Sequence, residues 1–278
     1  MRNFKIVVHL LKGQIKTSFL RKRVMAGYMI GMVLSAVGAE YYNRFLEDHS
    51  ANMWEAYVMT PNWVSTMLFF GFLVVLSDAP FVHTDSFLVL HRAKRRNWYR
   101  AMWLYVVVQS FLYYAGTVLI SVIVAIKRSY WQNVWSLALQ KYAGKDSVVS
   151  RIIAPDPELL ERFSPTEAML HTYLLFVLMS IVFGSILFAL NLCTYQAIGI
   201  VIVGVIYVVG DVYWSGELLN KLYPWMYASN RLLENHVGEY ALTMQHSYLL
   251  YLVSILVIYL IGTRIVKRAD FQLTESEE

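Results

Sequence analysis

The chain has 278 residues, of which 58% are hydrophobic and only 15% charged, and its mean hydropathy is positive. So much apolar surface does not fit inside one water-soluble core, which leaves lipid as the solvent and points to an all-α polytopic membrane protein. The formal charge of +5 comes with no nucleic-acid-binding module, so no nucleic acid is expected as partner, and Cys193 is the only cysteine, which excludes an intrachain disulfide and a cysteine zinc cluster.

In chain order, residues 1–23 read as an amphipathic helix. At 100° per residue Arg2, Lys5, His9, Lys12, Lys16 and Arg23 share an arc of about 80°, with Phe4, Val7, Val8, Leu11 and Ile15 outside it. Such a helix is expected at the inner membrane interface, with Lys5, Lys12 and Lys16 near anionic headgroups and its apolar side in the acyl boundary. The basic start runs on into this polar-striped helix, which is not the pattern of a cleavable signal peptide.

Six apolar stretches follow, at about 24–39, 62–77, 101–126, 169–190, 197–214 and 247–266. The first two are shorter than the roughly 20 residues a span requires, so flanking aromatic and small residues are expected to extend them. The whole chain reads as a single transmembrane domain, with 267–278 as a cytoplasmic tail. Trp54, Trp63, Trp131, Trp214 and Trp225 stand beside the spans, where amphipathic rings favour the headgroup level.

Basic residues set the expected orientation. Seven lie in residues 1–23, five in the connection between spans two and three (Arg92, Lys94, Arg95, Arg96, Arg100) and three after span six (Arg264, Lys267, Arg268). All of these fall on one side, which the positive-inside rule makes the cytoplasm, so both termini are expected inside the cell membrane. The remaining nine of the 24 are spread over loops that also carry Glu47, Asp48, Glu55, Asp156, Glu158 and Glu161. The external loop of about forty residues from Lys127 to Glu167 is punctuated by Asp156-Pro157 and Ser164-Pro165, which predicts short helices there. A second external segment, 215–246, reads in part as a helix dipping back into the interface.

The motifs of common membrane enzymes are missing. Ala143-Gly144-Lys145-Asp146-Ser147 lacks the upstream glycine and the adjacent hydroxyl of a phosphate-binding loop. The seven histidines never make the two-His, one-Glu spacing of an intramembrane metalloprotease, and Gly184-Ser185 reads as small-residue helix packing. No catalytic or metal-ligating residue is therefore expected. The one acidic residue within the apolar stretches, Asp211, reads either as a carboxylate reaching the outer headgroups or as a polar group on a substrate path.

The 78–100 connection carries the most pattern. Asp85 and Ser86 supply acceptors for a helix start, Phe87 to Leu90 form an apolar anchor, and cations follow, the layout of a short cytoplasmic helix that docks on a partner. On this connection, with the amphipathic N-terminal helix and six spans, the chain resembles permease subunits of the type-2 ABC exporter family. Asp85, Phe87, Leu88, Leu90, Arg92, Arg95, Arg96 and Trp98 match that family's coupling-helix pattern, although the external loop after span three is longer than in its simplest members. The resemblance implies a separate ATPase subunit in two copies, which carries the ATP and Mg, and a second permease chain, identical or a paralogue. It also implies that this chain holds no cofactor of its own and that Asp85, Leu88, Arg92 and Arg95 transmit the ATPase motion. Abundant Met and aromatic side chains suit a hydrophobic or amphipathic peptide as cargo, with lipid or drug export as the alternative. A non-transport sensor or scaffold, its basic loop holding a signalling partner, is the reading from a different class.

Overall fold

A computed structural model describes residues 2–46, 49–79, 94–143, 157–194, 198–213 and 244–268. The described chain is helical apart from one parallel bridge of two residues a side, β1 (Ala51–Asn52) against β2 (Ser129–Tyr130). Its helices are α1 (Arg2–Ser18), α2 (Lys22–Phe45), α3 (Glu55–Val58), α4 (Asn62–Val75), α5 (Arg95–Ala125), α6 (Leu137–Tyr142), α7 (Pro157–Arg162), α8 (Pro165–Thr194), α9 (Ile198–Tyr213) and α10 (Met244–Arg268). Four stretches, Lys22–Phe45, Arg95–Arg128, Pro165–Thr194 and Met244–Lys267, are long and apolar enough to cross a bilayer. Their outer faces hold Met29, Val33, Leu119, Leu252 and Leu256, each more than half exposed. Apolar stripes of that extent are stable in lipid and would aggregate in water, so the protein is an all-α membrane protein.

The helices overrun the apolar stretches because a helix needs only its own backbone bonds to continue through charged flanks. Thus α2 continues past Ala39 through Glu40 and Arg44, which pair at 3.3 Å one turn apart. The helices α4, with 14 residues, and α9, with 16, are the short members, about 21 and 24 Å at 1.5 Å per residue. Both still run with the bundle. Pairs of contacts fix the directions: α2 and α5 run the same way, with Tyr28 bonded to Gln109 and Asn43 to the Val124 carbonyl. α4 runs against them, and α8 runs against α5, with Ser180 at Tyr114 and Ser185 at Trp103. α9 follows α5's sense from Gly199 at Asn191 to Tyr207, and α10 returns from Tyr248 at His171 to Tyr259 at Tyr99. The start of α2 and the end of α10 therefore lie at the same end of the bundle.

Packing between the helices depends on missing side chains. On α2, Gly27, Gly31, Ser35 and Gly38 form the buried stripe. A Cβ at Gly27 would lie 2.6 Å from Val75 Cγ2 and 2.8 Å from the Gly71 carbonyl, and one at Gly31 or Gly71 would overlap the Tyr113 hydroxyl. That hydroxyl donates to the Leu68 carbonyl at 2.8 Å. Uncharged polar groups bond across the same seams: the Ser35 hydroxyl reaches the Thr117 carbonyl at 2.6 Å, and the Trp103 indole N–H donates to the Ser185 hydroxyl at 3.1 Å. Gly184 and Ser185 are thus packing residues, as the sequence predicts.

Two expectations change. The N-terminal helix ends at Ser18, not at residue 23, and the chain turns at Phe19–Arg21 before α2 starts. Its apolar side is also partly taken up by protein: Val7 is buried, and Leu10, Leu11 and Ile15 pack on the core beside the first turns of α5, while Phe4 stays exposed. Asn3 meets Asn97 and Ser18 meets Gln109, so α1 lies lengthwise along α5. Protein packing has taken part of the face that the pattern reserved for lipid, while Lys5, Lys12 and Lys16 stay exposed on the other side.

At the far end, residues 49–60, 129–143 and 157–168 form a cap with its own apolar cluster around Tyr42, Trp135, Leu139, Leu159 and Ala168. The predicted short helices are α6, capped by the Ser136 hydroxyl, and α7. Ser164 and Glu167 exchange bonds in a capping box that starts α8. The cap closes around Glu55, which is fully buried and accepts the Tyr42 hydroxyl and the Ser136 N–H, both at 2.6 Å. Burial raises its carboxyl above the usual 4.5, and the bonds from Tyr42 and Ser136 oppose the rise without cancelling it.

A carboxyl raised on folding contributes stability that is complete below its ordinary value and is lost as pH rises through the folded one. Glu55→Gln keeps a side chain able to bond both partners and carries no charge. The variant's melting temperature in detergent is therefore expected to gain on the wild type's between pH 4.5 and pH 8; a constant difference across that range would contradict the buried-carboxyl reading. Gly71→Ala forces Tyr113 out of its notch and is expected to cost about 1–3 kcal/mol, measured by thermal unfolding.

Candidate functional site

The connection singled out in the sequence leaves α4 and enters α5 at the end of the bundle that holds the start of α2. Asp85, Phe87, Leu88, Leu90 and Arg92 lie outside the described residues, whereas both ends of the connection lie within them.

At its exit, Asp78 is largely buried and pairs with two guanidiniums, Arg21 of the α1–α2 turn at 3.5 Å and Arg23 in the first turn of α2 at 3.2 Å. Arg21 is extended (φ −85°, ψ 130°) because the chain must leave α1 and start α2 there, and this local break lets both side chains reach Asp78. The next residue is held from another direction: the Ala79 carbonyl accepts the Asn191 amide at 2.8 Å. Asn191 is buried near the end of α8, and its side-chain oxygen accepts the Gly199 N–H at 2.8 Å where α9 begins. A Cβ at Gly199 would fall 2.9 Å from the Leu187 carbonyl, so only glycine lets α9 start this close to α8. Two consecutive residues, Asp78 and Ala79, thus join the α1–α2 turn, the end of α4 and the α8–α9 junction.

At its entrance the Lys94 carbonyl accepts the N–H groups of Asn97 and Trp98 to start α5. Arg95 and Arg96 are exposed in this first turn, and Asn97 is buried with its amide 3.4 Å from the Asn3 side-chain oxygen. Trp98 is buried beside Phe188, and Tyr99 stacks on Phe188 with ring centroids 5.6 Å apart. Three turns on, Gln109 is buried, accepting the Tyr28 hydroxyl at 2.6 Å and donating to Ser18 at 3.4 Å. Asp78, Ala79, Asn97, Gln109 and Asn191 each bond to a side chain or backbone group from another element, so moving the junction piecemeal would break those bonds.

The other predicted site residues are scattered. Asp211 lies in the last turn of α9, toward the opposite end, and Lys5, Lys12 and Lys16 line the exposed side of α1. Between α4 and α9 an apolar hollow of about 510 Å3 opens on the bundle surface, walled by Phe70, Leu73, Val74, Ile200, Val201 and Val205. Gly204 keeps it open, since a Cβ there would stand 3.2 Å from the Phe70 ring. Among the described residues no three His, Cys, Asp or Glu side chains converge as a metal site.

Sequence reasoning passed over Asp78, Arg21, Arg23 and Asn191. A signal for the ion pairs was present, an acidic residue at the end of one apolar stretch and two arginines at the start of another, though nothing local joins them across 55 and 57 residues. Asn191 reads as an ordinary turn residue until its two partners are seen. Compared with known proteins, the chain matches no family model and no curated sequence.

Replacing Asn191 by Ala orphans a buried carbonyl and a buried N–H and is expected to cost about 2–4 kcal/mol, whereas Asp78→Asn removes partly exposed ion pairs worth up to about 1 kcal/mol. Thermal unfolding of both variants in one detergent gives the ranking. The reverse order would mean that the ion pairs, and not the asparagine, hold the junction.

Proposed function

We propose that this chain is the membrane-spanning permease subunit of an ATP-driven ABC exporter, crossing the membrane six times with both termini in the cytoplasm. The observation that carries the proposal is the junction around the basic connection. A segment that receives a push from a partner has to be anchored at both ends on the helices it moves, and this one is. Asp78 and Ala79 tie its exit to α2, α8 and α9, and Asn97, Trp98 and Tyr99 tie its entrance to α1 and α8. Arg95 and Arg96 extend the cationic end of the connection into exposed helix, where an acidic surface of an ATPase subunit can meet them.

In this reading Leu88 is the apolar anchor in the cleft of a two-copy ATPase, and Asp85, Phe87, Leu90, Arg92, Arg95 and Arg96 set its orientation. ATP and Mg belong to the ATPase, and a second permease, identical or a paralogue, completes the transporter. Closure of the ATPase dimer shifts the junction and with it α2, α4, α8 and α9. The hollow between α4 and α9 faces the bilayer and is almost wholly apolar, which supports a hydrophobic or amphipathic peptide as cargo, with Asp211 near the far end of the same helix on its path. The same hollow accepts an acyl chain equally well, so lipid export is the second reading.

Purification in mild detergent from the native host is expected to recover a stoichiometric ATPase with the chain; recovery of a signalling protein in its place would favour the sensor reading. Leu88→Asp is expected to leave insertion and ATPase binding intact while reducing substrate transport in vesicles at least tenfold. Unchanged transport would remove Leu88 from the coupling path.

A further inference from the structure

The ends of α2 and α5 remote from the N-terminus enclose a second hollow of about 420 Å3, and its chemistry differs from that of the apolar one. Arg44, Lys127 and Arg128 line it against a single carboxylate, Glu40, which leaves an excess of two positive charges. The cations are held in place: Arg44 pairs with Glu40 at 3.3 Å, and Arg128 donates to the Asn43 carbonyl at 3.4 Å, while the Asn43 amide donates to the Val124 carbonyl at 3.4 Å. Ile123 forms the floor on the membrane side.

The depth of this hollow is marked by rings. Tyr41 and Trp131 stand exposed beside it, Trp131 by 81%, and amphipathic aromatics of this kind settle at headgroup level. Below it, the seam between α2 and α5 continues as an apolar surface: Met32, Val37 and Leu119 are exposed along it, and the Met32 terminal methyl lies 3.6 Å from where a Cβ on Gly116 would stand. A cationic pocket at headgroup depth that opens directly onto an apolar seam matches one kind of molecule, with an anionic phosphate at the top and a hydrocarbon chain beneath.

We propose that this hollow binds an anionic glycerophospholipid, its phosphate held by Arg44, Lys127 and Arg128 and one acyl chain laid along the α2–α5 seam. The bound phosphate offsets the charge excess at an end of the bundle where positive-inside topology disfavours cations, and the acyl chain splints the two helices on which the junction at the other end depends. The inference does not require the exporter reading.

The test uses the full-length protein in a nonionic detergent, with its melting temperature followed during titration with phosphatidylglycerol, phosphatidylcholine or inorganic phosphate. Phosphatidylglycerol is expected to raise the melting temperature by several degrees, phosphatidylcholine by less than half as much, and phosphate not at all. The Lys127→Gln, Arg128→Gln double variant is expected to lose the increment, whereas a Lys5→Gln, Lys12→Gln, Lys16→Gln variant of the exposed side of α1 keeps it. Should the double variant fold poorly because the Arg128–Asn43 bond is lost, Lys127→Glu alone leaves that bond in place and is expected to lose at least half the increment. Equal effects of the two lipids, an effect of phosphate alone, or an increment that survives at Lys127 and Arg128 would overturn the proposal.

Discussion

Tyr113 occupies the space that two glycines, Gly31 and Gly71, leave open. In a bilayer the surroundings of a helix are as apolar as its neighbours, so little hydrophobic force drives helices together, and close contact must come from shape and from hydrogen bonds. Gly27 and Gly31 on α2 and Gly71 on α4 bring those helices near enough for backbone to meet backbone, and the Tyr113 ring of α5 enters the notch with its hydroxyl on the Leu68 carbonyl. From this three-helix contact the other positions follow. α5 extends past the notch far enough to carry α1 along its first turns, and its opposite side receives α8 through Tyr114, Trp103 and Tyr99.

Polarity is distributed to suit the same solvent. Within the bundle the buried bonds are made by uncharged groups, Ser35 with Ser121, Gln109 with Tyr28, Ser180 with Tyr114, which leave no ion to desolvate. Charge is confined to the two ends and handled differently at each. At the end near the start of α2, Asp78 is shared by two arginines, a pairing that links α4 to the start of α2. At the other, Glu55 is buried in the cap without a cation among its bonding partners, and its raised carboxyl value follows from that burial. One carboxylate serves as a joint and the other as a pin.

This arrangement bears on how a motion could pass through the protein. Bonds at the junction connect consecutive residues to separate helices, so a displacement of Asp78 and Ala79 acts directly on α2 and α8 and, through Asn191, on α9. The α1 helix belongs to the same body through Asn3, Val7 and Ser18. The apolar hollow between α4 and α9 lies beside two of the helices so connected.

The amino-acid sequence by itself determined what depends on composition and local order. Long apolar stretches need lipid, and the predicted positions fall on helices, four of them long and apolar enough to cross a bilayer and two shorter, because a backbone in hydrocarbon must satisfy its own hydrogen bonds. Short helices in the long loop were legible for the same reason, as were the exposed lysines of α1, since neighbours within a few residues decide them. What only the tertiary structure decided was which partner each face meets. The apolar side of α1 looks the same whether lipid or α5 covers it, and a glycine in a span does not announce the tyrosine that fills its notch. Asp78, Asn191 and Glu55 acquire their roles from partners between 8 and 112 residues away, brought together by helix packing that no local pattern encodes.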